Sequence, residues 1–161
     1  VAFVKSIFPS LVALREDKEK YYKLLQKYMN WMFRISLFIA ILMLFIPNDL
    51  FIYILGQEMT DVGNSFKILM FGALFVYMGN LSHYWYIAEG YQKLSLIRTS
   101  SGLVVNIILN LILISSYGII GAAIATVVTK SYVVYFANLL NKKTYKMFKI
   151  QTKAIFNFSL K

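Results

Sequence analysis

Four apolar stretches run along the chain, separated by clusters of charged and turn-forming residues. The longest begins after Arg98, where 31 consecutive residues from Thr99 to Thr129 include no Asp, Glu, Lys or Arg. A single helix of that length would reach roughly 46 Å at ~1.5 Å per residue, well beyond the ~30 Å hydrocarbon core of a bilayer. The stretch must therefore fold back. Its only polar break is Ser115-Ser116-Tyr117-Gly118, where serines bond nearby backbone and glycine accepts turn geometry at little steric cost. The pattern predicts a transmembrane helical hairpin with arms over 95–114 and 119–140.

The remaining stretches read in the same way. A first span is expected over 28–46, with Arg34 near its entry end and Pro47-Asn48-Asp49 stopping it. A second is expected over 65–90, since Ile68 to Ala88 carries no formal charge and Tyr84, Trp85, Tyr86 and Tyr91 gather at one end like an interfacial aromatic belt. Residues 1–14 look like a partial span interrupted by Pro9. Over 15–27 the apolar period continues through a dense charge run, which predicts an amphipathic connection lying at the membrane surface. Residues 141–153 read as a basic loop and 154–161 as the start of a further span. Because the chain opens inside an apolar segment, it is read as a fragment of a longer polytopic protein.

Composition agrees with a membrane class: 59% of residues are hydrophobic, 17% are aromatic, and the mean hydropathy is +0.62. The fold class expected is an all-α membrane protein, a polytopic helical bundle. The net charge of +10 sits in blocks between apolar runs, which the positive-inside rule explains better than nucleic-acid binding. Lys and Arg fall in 15–27, 92–98 and 141–153 and are absent from 47–61 and 115–118. The first three connections are therefore expected to be cytoplasmic and the other two to face outward. With no cysteine and one histidine, thiolate chemistry and an all-protein imidazole metal site are excluded, and no cofactor is expected.

Both hairpin arms carry small or polar residues at helical spacing. Thr99, Gly102, Asn106 and Asn110 share one side of the first arm, and Gly118, Ala122, Thr126 and Lys130 recur every four residues in the second. Lys130 lies about 17 Å from the start of its arm, near the bilayer midplane. It reads as a cavity-facing cation that attracts an anionic substrate, or else as a lysine reaching an interface or paired internally with a carboxylate. His83 follows Gly72 and Gly79 on one side of the second span. It is a candidate proton-coupling residue or sugar contact, against a neutral histidine hydrogen-bonded within the bundle. Asn106 and Asn110 are candidate sugar contacts, although amides in membrane helices also bond one helix to another. Glu89 is expected at the end of its span beside Lys93.

Three segments in this order carry a family likeness. They are FPSL at Phe8 to Leu11 followed by REDKEKYYKLL, the apolar segment ending at Gly56, and NIILNLILISSYGIIGAAIATVV from Asn106 to Val128. The chain resembles the polysaccharide-exporter branch of the multidrug/oligosaccharidyl-lipid/polysaccharide flippase superfamily, the Wzx-type O-antigen flippases. The resemblance implies a MATE-like fold of two six-helix bundles, with this fragment in the C-terminal bundle. It also implies a transporter, not an enzyme, that moves undecaprenyl-pyrophosphate-linked oligosaccharide across the bacterial cytoplasmic (inner) membrane by alternating access, for O-antigen or capsular polysaccharide biosynthesis. The partners implied are that lipid-linked oligosaccharide, membrane lipids and other polysaccharide-assembly proteins, without nucleic acid. The alternatives are a cation-coupled multidrug exporter of the same superfamily, which would favour acidic residues in its cavity, and a membrane-embedded polysaccharide polymerase or ligase, which would need converging acids, bases or nucleophiles.

Overall fold

A computed structural model of the chain describes residues 9, 11–56 and 60–156, all of whose regular structure is helical. Helix α1 spans Lys18–Leu44. Asp17 caps it, its side chain accepting from the Lys20 backbone N–H at 3.1 Å and pairing with the Lys20 ammonium at 2.8 Å. The hydrogen bond from Lys20 holds the Asp17 carboxyl below the usual carboxylate range. Sequence reading separates an amphipathic connection over 15–27 from a span over 28–46, but the structure joins them. No Gly or Pro interrupts Lys18–Leu44, and Tyr21, Leu25, Met29, Met32, Phe33, Ser36 and Ala40 form one continuous buried stripe.

Pro47 ends this run, and the short helix α2, Asn48–Leu55, follows and stops at Gly56, whose φ of 94° suits glycine alone. Helix α3, Thr60–Ala88, runs back alongside α1: Lys18 and Tyr22 at the start of α1 meet Glu89 just past the end of α3. The two helices are antiparallel, and the basic start of α1 lies at the same end of the bundle as the aromatic end of α3.

Helix α4, Gln92–Val134, is the hairpin. It breaks at Gly118, whose φ of 55° and ψ of −134° belong to a turn conformation that side chains with a Cβ rarely adopt. From there the arms return side by side. Asn106 bonds Thr129, Tyr132 bonds Ser101, and a Cβ added at Gly102 would collide with the Val133 side chain. The buried face of the second arm is Gly121, Ala123, Ala125 and Thr129. The expected row of Gly118, Ala122, Thr126 and Lys130 is therefore not one buried face: Ala122 and Thr126 are half-buried and Lys130 is exposed. Helix α3 packs between α1 and the hairpin, with Gly72 against Val127 and Gly79 against Val134.

Two expectations at the basic end need correction. The second arm stops at Val134, not at residue 140, because Asn138 in a 3₁₀ turn, Phe136–Asn138, turns its amide back to the Val134 carbonyl at 2.6 Å. Most of the expected loop over 141–153 is helix α5, Tyr145–Phe156. Met147, Ile150, Gln151 and Ala154 recur at i, i+3, i+4 and i+7 and bury one face against the start of α1, where Gln26 donates to the Ile150 carbonyl at 3.0 Å. Residues 154–156 belong to that same helix. Residues 157–161, Glu58 and most of the partial span over 1–14 lie outside the described residues.

Lys18–Leu44, Asp61–Ala88 and the hairpin stretch Gln92–Asn138 are long and apolar enough to cross a membrane, and the Gly118 break divides the last into two arms. Large apolar side chains such as Leu103, Ile107, Leu111 and Ile112 cover the first arm's surface, as lipid-facing helices require. The tightest packing gathers at the basic end, where Tyr21, Leu25, Met29, Met78, Leu81, Trp85, Tyr86 and Met147 are almost wholly buried.

Candidate functional site

The four residues singled out by sequence separate into two kinds. Asn110 donates to Asn106 at 3.0 Å and Asn106 donates to Thr129 at 3.2 Å, so the pair forms a polar ladder between the hairpin arms. This is the interhelical arrangement open to buried amides, and it leaves them half-buried at the seam. Lys130 follows Thr129 and turns outward. It is exposed, it lies 12 residues beyond Gly118, or about 18 Å along the axis, and no carboxylate pairs with it among the described residues. His83 is also exposed, with its ring edge-on to Tyr84, and borders a cavity of about 260 Å³ with Gln92, Ser95 and Thr99. The structure brings Asn106 and Asn110 together and leaves Lys130 and His83 on the bundle surface, not hydrogen-bonded to them.

Two constellations absent from the sequence reading appear at the basic end. The first is a buried polar network. Asn138 Oδ1 accepts from the Tyr86 hydroxyl at 2.6 Å and from Arg98 Nη1 at 3.3 Å, while its Nδ2 donates to Gln151 Oε1 at 2.8 Å. Gln151 Nε2 in turn donates to Ser82 Oγ and to the Val134 carbonyl, tying α3, the hairpin and α5 together. Arg98 is only 8% exposed, its guanidinium sits 4.5 Å from the Tyr86 ring centroid, and no carboxylate reaches it among the described residues. Contact with an aromatic face recovers ~2 kcal/mol for a desolvated cation, less than the several kcal/mol that burying an unpaired charge costs. Arg98 and Gly102 lie one helical turn apart on the same face of the first arm, a sign that the arginine turns inward.

The second is a basic cleft between α1 and α5, about 580 Å³ in volume. Lys18, Lys23, Lys146, Lys149 and Lys153 line it with a single carboxylate, Glu19. That carboxylate is taken up by Lys23 at 2.5 Å, and Lys146 lies 3.3 Å from the Tyr22 ring centroid, which orders its ammonium at the wall. Lys18, not Lys93, is the partner of Glu89, at 3.4 Å, because α1 and α3 are antiparallel and bring the two together. Five lysines converging on one concavity create a local positive potential suited to phosphate or other polyanions. Their helical periodicity identifies α5 as amphipathic, the signal that links two lysine blocks far apart in sequence. Among the described residues no three His, Asp or Glu side chains come together as a metal site.

No protein-family model matches the chain, and no solved structure matches it. An uncharacterized membrane protein of the archaeon Methanocaldococcus jannaschii is 43% identical over 68 residues, a region covering 39% of this chain and 15% of that protein. The chain therefore spans only a small part of that relative's length. Taken with the three long apolar helices, this similarity defines the class: the chain is a helical membrane protein.

Proposed function

We propose that the chain is part of a transporter that moves an undecaprenyl-pyrophosphate-linked oligosaccharide across the bacterial inner membrane by alternating access, within a MATE-like two-bundle fold. The observation that carries this reading is Lys130, an exposed ammonium 12 residues past the Gly118 bend and four before its arm ends at Val134, with no carboxylate partner among the described residues. An ammonium within a membrane helix is favoured by hydration or an anionic partner, and a pyrophosphate moving through the protein supplies the partner transiently. The same reading takes the basic end as cytoplasmic, where the five-lysine cleft would collect anionic headgroups before entry. A cation-coupled drug exporter would place carboxylates deep in its helices. Here Asp49 and Asp61 lie in the first turns of α2 and α3, and Glu89 lies just past the end of α3.

The test is complementation of an export-deficient strain, scored beside the amount of protein in the membrane. Lys130→Ala should abolish or strongly reduce export at normal abundance. Lys130→Arg should keep part of the activity, since charge survives while geometry and hydration change. Wild-type export by Lys130→Ala would remove Lys130 from the transport path.

A further inference from the structure

Beside the buried network, at the base of the hairpin, lies a cavity of about 240 Å³ whose wall includes Arg98. The arginine is buried and unpaired by any carboxylate among the described residues, and its Nε–H is buried with no hydrogen-bond partner. Ser101, Tyr132, Asn141 and Thr144 add polar groups to the same wall. Its other boundary is apolar: Ile97 and Leu140, both largely exposed on the outer surface of the bundle, stand at the edge. A cation with an unused donor calls for an anion, and an apolar edge on a membrane helix calls for hydrocarbon. We propose that this cavity binds the phosphate of a membrane lipid, with Arg98 donating to a phosphate oxygen and the lipid tail lying over Ile97 and Leu140.

The assignment goes beyond the export reading and does not depend on it, because a resident lipid would brace the hairpin base whether or not the protein carries glycan. It also supplies the anion that the buried guanidinium lacks. A free phosphate ion would satisfy Arg98 equally, but would gain nothing from the apolar edge, which is why a lipid is the better occupant.

The experiment extracts the intact protein from membranes containing phosphatidylglycerol and phosphatidylcholine and washes it at about 1 M salt. The Debye length then falls to ~3 Å, so lipid attached only through exposed lysines is released. Native mass spectrometry counts what remains. Wild type should retain phosphatidylglycerol in preference to phosphatidylcholine, and Arg98→Gln should weaken that binding at least about tenfold, the usual effect of losing a charged hydrogen bond. Arg98→Lys should fall between them. Ala137→Phe, which fills the cavity from its wall and leaves the arginine in place, should lose the lipid while the protein stays folded and monodisperse in detergent, and it serves as the deciding variant if Arg98→Gln does not fold. Washed wild type without phospholipid, or equal retention by wild type and Ala137→Phe, overturns the proposal. Washed wild type that carries inorganic phosphate at the site and no phospholipid would identify free phosphate as the occupant and overturn the lipid assignment.

Discussion

Asn138 shows how much one amide can organise. It closes the second hairpin arm through the Val134 carbonyl, accepts from Tyr86 and Arg98, and donates to Gln151 on α5. Replacing it with alanine leaves the Tyr86 hydroxyl and Gln151 Oε1 each without the bond it makes to Asn138 in a buried setting, so Asn138→Ala should destabilise the protein by about 2–3 kcal/mol. Thermal unfolding in detergent checks this against Ser100→Ala, an exposed hydroxyl on the first arm expected to change little. Equal unfolding temperatures would mean that the network contributes nothing net. Sequence alone does not reveal Asn138 because it sits beyond the charge-free run, in a turn whose geometry only the folded hairpin defines. Asn106 and Asn110 are visible in the sequence, since their spacing along one arm marks them as a polar row.

The hairpin is the element on which packing is most exposed to test. Gly102 abuts Val133 and Gly79 abuts the Val134 methyl at 2.8 Å from where a Cβ would stand, so neither position has room for a side chain. Gly102→Leu and Gly79→Leu should each cost about 1–3 kcal/mol by forcing the helices apart, whereas Leu109→Ile, half-buried on the first arm, should be tolerated. Folded yield from membranes and unfolding temperature together measure this, and equal behaviour of all three would sink the close-packing account. The bend itself is legible: a charge-free run too long for one crossing, with Ser115 and Ser116 bonding the Ile112 carbonyl just before Gly118. Helix α5 is not, because five lysines between 142 and 153 look like a topology signal until the buried row Met147, Ile150, Gln151 and Ala154 is set on a helix. The start of α1 is hidden for the opposite reason, as charges over 18–27 mask an apolar stripe that runs unbroken into the apolar span.

Across the whole molecule, positive charge collects at one end of the bundle and the hairpin bend lies at the other. The proposed orientation puts the lysine cleft in the cytoplasm. Because the chain has no cysteine, Ser116→Cys and Lys143→Cys report sidedness without interference. A membrane-impermeant thiol reagent applied to intact cells should label Ser116→Cys and spare Lys143→Cys, and the reverse result would invert the topology. The central claim, however, is transport, and it is tested most directly by reconstituting the intact protein that carries this chain into proteoliposomes with a fluorescent undecaprenyl-pyrophosphate-linked oligosaccharide. Quenching from outside the vesicles measures how much substrate changes leaflet. The account predicts protein-dependent transfer that falls strongly with Lys130→Ala, and a leaflet distribution unchanged by properly folded wild-type protein would contradict it.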